Sequence, residues 1–371
     1  MREVKAMKVA VLGFGTVGLG VYEMLQNCST LSCDCVLERP GVFNEPFIVN
    51  DINTILNDKS IEAVAECIGG TTIAHDFAVR CLSAGKHFVT SNKALISAYG
   101  LELRDLATEN GVSLLFSAAC GGTMPVLHNM ALARRTDTLT RAGGILNGTV
   151  NFMLTKMQDE GSSFEDALDQ ARRLGYAEAD PSADLSGLDT LRKVIILSAV
   201  GFDAFPEGDL LCEGIESTDA KAIRELKARG LVLRLIGSCG RNADGSLYAF
   251  VQPVALSSSA AEANVKMNTN MAFWEGENCG RVTISGQGAG RYPTAANVLR
   301  DLSELPECRK SMLSPGCAGE SVRNDGCLFR YLVIDNGSVS VTEKVSVNAM
   351  FAKAAEKRKE GGKFFFAAME E

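Results

Sequence analysis

Short apolar runs alternate with helix-like spacings of apolar residues along the first third of the chain. Predicted strands lie at 8–12, 33–37, 63–68, 87–90 and 112–116. Between them, apolar side chains recur at helical spacing, for example over 73–84. Because strands that alternate with helices form parallel sheets, the pattern predicts an α/β chain whose residues 1–127 are a Rossmann-type, doubly wound domain.

Helical periodicity dominates the stretch 144–197, which also carries unusual polar residues. Asn147 and Thr149 are placed to cap a helix that runs to about residue 160. Ser162 and Glu165 form a capping box for a second helix. A third helix is predicted to begin near residue 186.

Carboxylates concentrate between the second and third of these helices. Pro181 disfavours a helix there and keeps the acids on a turn. These acids are Glu178, Asp180 and Asp184. In the third helix Lys193 and Asp189 share a face that continues with apolar residues, so Lys193 is predicted to point inward and to pair with Asp189 or a loop acid. Two simpler interpretations stay open: Asp189 completes a capping box, and Lys193 extends its ammonium to solvent.

The remaining pattern predicts a mixed domain over 128–287, a further helix and a short tail. The predicted elements are a helix at 219–229, strands at 231–240 and 246–254, a strand near 282, and a helix within 288–304. Residues 305–371 are predicted to form a linker and a small separate α+β unit. In that unit Asp335, Asn336 and Gly337 indicate a hairpin turn.

Composition limits the classes of partner. Of 371 residues, 46% are hydrophobic and 22% are charged, with a net charge of -8 and no cluster of Lys and Arg, which argues against nucleic acid and anionic membranes. The N-terminus shows no signal-peptide core and no apolar run could span a bilayer, so we expect a cytoplasmic protein that acts on small molecules. The 12 cysteines are scattered and there are 3 histidines, so the close pair Cys33 and Cys35 does not favour zinc.

A glycine pattern follows the first strand. Gly13, Gly15 and Gly18 stand between that strand and a predicted helix. In a dinucleotide fingerprint the first glycine permits a tight turn, the second lets a pyrophosphate approach, and the third lets helix and strand pack closely. After the second strand, Glu38 is placed to bind ribose hydroxyls and Arg39 to bind a 2′-phosphate, so NAD and NADP both remain open.

Two later strand ends carry further candidate groups. Gly69 and Gly70 follow the third predicted strand and Lys93 follows the fourth, at the edge where doubly wound sheets bind ligands. Lys93 is predicted to bind or to relay a proton, with a simple surface charge as the alternative. Cys120 follows the fifth strand, but as a nucleophile it would need a base, and only His128 is near it in sequence.

Several segments together resemble homoserine dehydrogenases over residues 8 to about 304. In chain order they are VLGFGTVGLG, AECIGG, GKHFVTSNKAL, CGGTMP, GILNGTVNF, LGYAEADPSADLSGLDTLRK and GQGAGRYPTAANVLRDL. The resemblance implies reversible hydride transfer between NAD or NADP and the pair L-homoserine and L-aspartate 4-semialdehyde, in threonine, methionine and isoleucine biosynthesis. It implies cofactor contacts at Gly13, Phe14, Gly15, Thr16, Val17, Gly18, Glu38, Arg39, Gly69, Thr90, Lys93 and Gly288.

The same resemblance implies roles for the acids and lysines. The substrate contacts it implies are Glu178 on the amino group, Asp189 at the hydroxyl, Asp184 as a supporting acid, and Thr149. Lys193 matches the residue that handles the substrate proton, and Lys93 matches a second essential lysine near cofactor and substrate. We predict Lys193 as the acid/base, with Lys93 as the alternative.

The resemblance also implies that the helix at 288–304 returns to the nucleotide domain. It further implies a homodimer, with one sheet extended across two subunits, and a monovalent cation such as Na⁺. The cation would be held by backbone carbonyls of Ser117, Cys120, Gly122 and Met124. Ser117 stands where the family usually has Glu, and Thr123 where it usually has Gly, which puts the cation in doubt. The tail is too short for a complete copy of the regulatory domain of longer members, so feedback by threonine is not expected.

Two rival functions are weaker. A semialdehyde dehydrogenase acting through a Cys120 thioester would need a histidine base that this chain hardly offers. A non-catalytic redox sensor that binds the dinucleotide would leave Glu178, Asp189 and Lys193 without a task.

Overall fold

A computed structural model describes residues 6–305 and 311–370 of the chain. Two sequence predictions therefore fall partly outside the described residues. These are the absence of a signal peptide, which involves 1–5, and the linker, which involves 306–310.

The chain divides into two compact units. The first unit is Met1–Leu132 with Gln287–Ala318, and the second is Ala133–Gly286 with Gly319–Glu371. The segment predicted to return to the nucleotide domain, 288–304, lies in the first unit. The predicted tail, 305–371, does not form a unit of its own, because its part up to 318 belongs to the first unit and 319–371 belongs to the second.

The first unit opens with alternating strands and helices. Its strands here are β1 (Met7–Leu12), β2 (Leu31–Leu37), β3 (Ile48–Val49), β4 (Ile61–Glu66), β5 (His87–Thr90) and β6 (Leu114–Leu115). Its helices here are α1 (Thr16–Leu25), α2 (Ile52–Asn57), α3 (Thr72–Ser83), α4 (Lys93–Glu109) and α5 (Val126–Ala133). A 3₁₀ turn, Ser117–Ala119, follows β6.

The six strands of the first unit form one parallel sheet, in the order β3-β2-β1-β4-β5-β6. Strand order reverses between β1 and β4, so the crevice at their carboxyl ends is where this fold binds ligands. Apolar residues of the returning helix, among them Val298 and Leu302, join the core beside α1. The predicted doubly wound α/β fold is confirmed.

The third strand ends earlier than its apolar run predicts. The run continues to residue 68, but β4 stops at Glu66. The Glu66 carboxylate turns back and accepts hydrogen bonds from the backbone N–H groups of Ile68 and Gly69. Because these N–H groups donate to the carboxylate, they do not donate to a neighbouring strand, and the chain turns.

The second unit combines a large sheet with helices. Its strands are β7 (Leu139–Ile145), β8 (Ala204–Glu207), β9 (Leu211–Cys212), β10 (Leu231–Arg241), β11 (Leu247–Ser257), β12 (Thr269–Gly276), β13 (Gly280–Gln287), β14 (Ala318–Ser321), β15 (Leu328–Asp335), β16 (Ser338–Val341), β17 (Val345–Ser346) and β18 (Phe364–Met369). The helices from here on are α6 (Gly148–Thr155), α7 (Phe164–Arg173), α8 (Ser182–Leu185), α9 (Leu188–Phe202), α10 (Ala220–Ala228), the returning helix α11 (Arg291–Glu304) of the first unit, and α12 (Val347–Lys359).

The tail is part of the sheet of the second unit, so the predicted separate appendage is wrong. The main path of this sheet runs β13-β12-β7-β10-β11-β18-β15-β16. Strand β18 pairs in parallel with β11, with Val254 opposite Ala368, and β15 pairs antiparallel with β18. The predicted hairpin is confirmed, since Asn336 and Gly337 join β15 and β16 with φ of 47° and 86°.

The helices near the acids differ from prediction by small shifts. The capping box of α7 lies one residue later than predicted: the Ser163 Oγ accepts from the Asp166 N–H at 3.0 Å and donates to its carboxylate at 2.8 Å. Asp184 lies within the one-turn helix α8 rather than on an open turn. Helix α9 begins after Gly187 without a side-chain cap, so the capping-box interpretation of Asp189 is wrong.

Helix α9 packs against β7, β10 and β11 of the sheet. A small residue allows the close approach, because a Cβ on Gly237 of β10 would lie 2.5 Å from a methyl carbon of Val194. The buried face of α9 therefore presents Asp189 and Lys193 to the end of β7, where Leu146 and Asn147 follow the strand.

Candidate functional site

The glycine-rich turn of the first unit has the geometry of a phosphate-binding loop. Gly13 has φ of 90°, and its N–H donates to Leu37 O at 2.8 Å. A Cβ on Gly18 would lie 1.9 Å from Gly13 O, so only glycine permits α1 to approach β1 this closely. A Cβ on Gly15 would meet no atom within 4 Å, which leaves open space at the N-terminus of α1. A pyrophosphate at this point would face the helix N-terminus.

Among the other predicted cofactor contacts in this loop, the side chains differ in exposure. Phe14 is buried against Tyr22 and Phe47, so only its backbone faces the loop. Thr16 is exposed and Val17 is half-buried on the first turn of α1.

Glu38 is fixed beside this loop and Arg39 is not. The Glu38 carboxylate accepts from the N–H of Phe14 and from the N–H of Arg39, both at 2.8 Å. Burial opposes ionisation, but these hydrogen bonds leave the pKa of Glu38 below its usual value. The Glu38 side chain is 13% exposed and that of Arg39 is 85% exposed. A cavity of about 510 Å³ adjoins both, with Leu37, Ile68 and Ile73 in its wall, and these apolar side chains suit an adenosine.

A buried network that the sequence did not indicate joins the ends of β4 and β5. Glu66 is fully buried; besides the two N–H groups described above, its carboxylate accepts from Thr90 Oγ1 at 2.5 Å. Thr90 Oγ1 in turn accepts from the Asn92 N–H, and the Asn92 amide donates to Gly70 O at 2.7 Å. Burial raises the pKa of Glu66, and its hydrogen bonds oppose that shift. One carboxylate therefore fixes both turns at the ligand edge of the sheet.

Lys93 stands at the end of this network. It is the first residue of α4, directly after Asn92, whose side chain caps the helix by accepting from the Leu95 N–H at 3.1 Å. Lys93 is half-buried, so the choice between a ligand-binding or proton-relay role and a simple surface charge stays open. Its position on the ligand edge is set by the turn that Glu66 and Thr90 hold.

The second unit gathers four polar side chains into what we call the acidic cluster, Asn147, Asp184, Asp189 and Lys193. Lys193 Nζ donates to Asp189 Oδ2 at 2.8 Å and also to Leu146 O. The Asn147 amide donates to Asp184 Oδ1 at 2.7 Å and to Asp189 Oδ2 at 2.8 Å. Asp189 is 6% exposed and Lys193 is 7% exposed. The predicted inward-pointing pair is confirmed, and the alternative of an ammonium extended to solvent is wrong.

The role of Asn147 in this cluster was missed from the sequence. Its cap on α6 was predicted and is confirmed, since its Oδ1 accepts from the Val150 N–H at 2.8 Å. That bond turns the amide N–H₂ group toward the two carboxylates. One side chain thus caps a helix and holds Asp184 and Asp189 near each other despite their like charges.

Thr149 and Glu178 take different positions from those predicted. Thr149 is not a cap; its hydroxyl donates to Tyr176 O at 2.6 Å and fixes the segment that leads to Glu178. Glu178 is exposed between α7 and α8. Among the described residues no hydrogen bond joins Glu178 to the acidic cluster.

Comparisons with known proteins cover the candidate residues of each unit. Residues 13–117 match the family model "Homoserine dehydrogenase, NAD binding domain", and residues 125–303 match the model "Homoserine dehydrogenase". The chain is 35% identical over 317 residues to the homoserine dehydrogenase of Synechocystis sp., covering 81% of this chain and 73% of that protein. The chain belongs to the homoserine dehydrogenase family.

Two further members are similar over most of the chain. The NAD(+)-dependent homoserine dehydrogenase of Pseudomonas canavaninivorans is 38% identical over 256 residues, covering 68% of this chain and 72% of that protein. The crystal structure of the homoserine dehydrogenase from Thiobacillus denitrificans superposes with a TM-score of 0.87 at 25% identity, covering 99% of each chain. The chain is thus an NAD(P)-dependent homoserine dehydrogenase, as the sequence predicted.

Neither rival function gains support. Cys120 is fully buried, so its thiol is not placed to attack a substrate, and the sensor interpretation leaves the acidic cluster unexplained. Within residues 6–305 and 311–370, no helix has the length and apolar character needed to cross a membrane. In the same residues no group of His, Cys, Asp or Glu side chains is arranged to hold a metal ion.

Three of the four carbonyl groups expected to hold a monovalent cation, those of Ser117, Gly122 and Met124, already accept hydrogen bonds. Gly122 O and Met124 O both accept from the side-chain amide of Asn297 in α11, the second at 3.2 Å. Met124 O also accepts from a backbone N–H at 2.8 Å, and Ser117 O accepts from the Cys120 N–H at 3.4 Å. The Ser117 hydroxyl is buried and has no hydrogen-bond partner in the described part of the chain, but one hydroxyl is not a ligand set. These residues do not fit a bound cation.

Proposed function

We propose that Lys193 moves the substrate proton when this homoserine dehydrogenase interconverts L-homoserine and L-aspartate 4-semialdehyde. The buried Asp189–Lys193 pair carries this proposal. An ammonium has three N–H groups, and two of those of Lys193 point to Asp189 and Leu146 O. The third can reach a substrate oxygen. Asp189 holds the Lys193 side chain at a fixed position, and the Asn147 amide in turn holds Asp189.

The chemistry needs one proton for each hydride. NAD(P), when bound, would supply the hydride chemistry in both directions. As the hydride leaves the carbon of homoserine, the O–H bond breaks and Lys193, as the neutral amine, takes the proton. In reduction the Lys193 ammonium gives a proton to the aldehyde oxygen. Lys93 is the alternative proton carrier.

The acids are proposed to recognise the substrate itself. L-Homoserine carries an ammonium, and exposed Glu178 with half-buried Asp184 supplies negative charge for it. Asp189 acts as the partner of Lys193 beside the substrate hydroxyl. Thr149 acts by holding the segment that carries Glu178 through Tyr176 O.

We propose NAD as the preferred coenzyme. The Glu38 carboxylate is fixed by two backbone N–H groups at the edge of the glycine-rich loop, where it can accept from both ribose hydroxyls. A 2′-phosphate there would meet a carboxylate whose pKa is lowered, so the two negative charges would repel. Arg39 is 85% exposed and its Nε already lies 3.6 Å from Glu38 Oε1, so as a solvent-screened partner of that carboxylate it offsets little of this repulsion.

One assay tests the reaction, the coenzyme and the proton carrier. L-Homoserine is mixed with NAD or NADP at alkaline pH, and the absorbance of the reduced nicotinamide is followed. We expect faster turnover with NAD. Lys193→Ala should reduce kcat by about 10²–10⁴-fold while coenzyme binding is retained, and the surface lysine variant Lys266→Ala, which removes an exposed pair with Asp159, should keep full turnover.

Other outcomes would redirect the proposal. A Lys193→Ala enzyme that keeps its kcat, together with a Lys93→Ala enzyme that loses it, would assign the proton to Lys93. Faster turnover with NADP would show that Arg39, not Glu38, governs the ribose. No turnover with either coenzyme, in protein that binds one, would favour the sensor.

A homodimer and a cytoplasmic location stay proposals. Strand β13 is one edge of the main path of the large sheet, and none of its residues is buried. An exposed edge strand of eight residues is a template for pairing with another strand, which supports a sheet extended across two copies. A dimer mass by light scattering, lost on placing a proline in β13, would agree with this.

A further inference from the structure

We propose that the side-chain amide of Asn297 takes the place of a monovalent cation in the loop 117–125. Asn297 is fully buried in α11. Its Nδ2 lies within hydrogen-bond reach of both Gly122 O and Met124 O. A cation shared by these two oxygens would have to occupy the position of this nitrogen. The loop is closed by the partial charges of one amide, and the enzyme needs no ion there.

The amide is held in the orientation that this role requires. Arg300, one turn along α11, donates through its guanidinium to Asn297 Oδ1. A guanidinium has donors only, so the oxygen of the amide must face it. The N–H₂ group then faces the two carbonyls. With both of its ends engaged, the Asn297 side chain has one consistent hydrogen-bonded arrangement.

The surroundings leave little room for an ion beside the amide. The loop backbone lies directly on the segment before α11, because a Cβ on Gly122 would lie 2.3 Å from Gln287 O. The Thr123 N–H donates to the same Gln287 O at 3.1 Å. A cation that displaced the amide would leave buried donors without acceptors, which is unfavourable.

Charge argues in the same direction. The Arg300 guanidinium already lies on the far side of the Asn297 amide. An ion at the position of Nδ2 would bring a second positive charge close to Arg300, in a buried region where repulsion is poorly screened. A neutral amide supplies positive partial charge to the carbonyls without that cost.

The thermal unfolding midpoint of the full-length protein tests the proposal without relying on turnover. Midpoints are compared in NaCl, KCl and choline chloride at matched ionic strength. A site that binds Na⁺ or K⁺ in the folded state raises the midpoint in that salt. We expect the wild-type midpoint to be the same in all three. A higher wild-type midpoint in NaCl or KCl than in choline chloride would overturn the proposal.

Two variants should create the missing response. Asn297→Ala removes the amide and frees the two carbonyls, so its midpoint should be roughly 2–4 °C higher in NaCl or KCl than in choline chloride. Asn297→Asp points a carboxylate at the same carbonyls and should respond more strongly. Ser303→Ala is the control on the same helix, since its exposed hydroxyl donates to Arg300 O and to no other group among the described residues, and it should match the wild type.

The two variants can also contradict the proposal. If both fold and neither responds to Na⁺ or K⁺, the carbonyls form no latent cation site and Asn297 replaces nothing. If neither variant folds, the wild-type comparison among the three salts decides by itself.

Discussion

Each unit buries a carboxylate among its candidate functional residues, and the two carboxylates are stabilised in different ways. In the first unit Glu66 accepts from two backbone N–H groups and a hydroxyl. In the second unit Asp189 accepts from the Lys193 ammonium and the Asn147 amide. The first arrangement uses the local turn to surround a carboxylate with donors, whereas the second depends on a full positive charge from another side chain.

The difference matters for function as well as for stability. A carboxylate held by the backbone fixes the shape of the turns around it, which suits a crevice that must fit a dinucleotide. A carboxylate held by a lysine keeps a proton carrier at a fixed place. Loss of the partner should therefore be most costly in the second unit, where a buried charge would remain.

The largest effect is expected from Asp189→Ala. The substitution removes the carboxylate that pairs with the buried Lys193 ammonium and leaves the neutral carbonyl of Leu146 as its hydrogen-bond acceptor. Breaking a buried pair in this way should lower the free energy of unfolding by about 3–5 kcal/mol. Urea unfolding followed by fluorescence reports on this unit, because the single tryptophan, Trp274, lies in β12. Dinucleotide binding to the folded protein should be unchanged.

Two controls separate the buried pair from an ordinary one. Asp159→Ala breaks the exposed pair with Lys266 and should cost less than about 1 kcal/mol. The double variant Asp189→Ala with Lys193→Met should be more stable than Asp189→Ala alone, because no unpaired charge is left. A double variant that is less stable would mean that packing, not charge, dominates.

The same contrast explains what could be predicted from the sequence. Asp189 and Lys193 stand four residues apart on an apolar helix face, so their pairing is visible as a pattern. Glu66 gives no such pattern, because backbone N–H groups occur at nearly every residue and only the turn brings two of them together. The fingerprint glycines were predictable because a tight turn and a close helix contact both require glycine.

Contacts between distant parts of the chain were beyond the sequence patterns. Asn297 is separated by 175 residues from Gly122, whose carbonyl it bonds. The pairing of β18 with β11 likewise joins residues far apart in sequence. The tail has well-formed strands and a hairpin turn, but nothing local says which edge of which sheet they join.

A second prediction concerns Asp301, a carboxylate with fewer donors than Glu66. It is buried in α11, and the donor on its Oδ2 is the Ser117 N–H at 2.7 Å. Burial raises the pKa of Asp301 to about 7. Since the folded pKa exceeds the unfolded one, near 4, the folded state binds the proton more tightly. Stability is therefore lost as pH rises between these values, by roughly 4 kcal/mol, and is constant above pH about 7.

Asp301→Asn tests the sign of this effect. The amide oxygen still accepts from the Ser117 N–H, but no charge forms as the pH rises. The variant should gain stability relative to the wild type between pH 5 and pH 8, measured as the difference in urea unfolding free energy at each pH. A difference that stays constant over this range would show that folding does not raise the pKa of Asp301.

The smallest of the three effects is expected at Glu66. Substitutions there test whether the turns of the first unit need the negative charge of the carboxylate or only its hydrogen-bond acceptors. Glu66→Ala leaves the N–H groups of Ile68 and Gly69 without their acceptor, which should cost about 1–3 kcal/mol and weaken dinucleotide binding in a titration. Glu66→Gln keeps an oxygen for both N–H groups and can donate to Thr90 Oγ1, so it should restore most of the binding. If Glu66→Gln is instead as damaging as Glu66→Ala, the negative charge itself is required, and the two units stabilise their buried carboxylates more similarly than their geometry indicates.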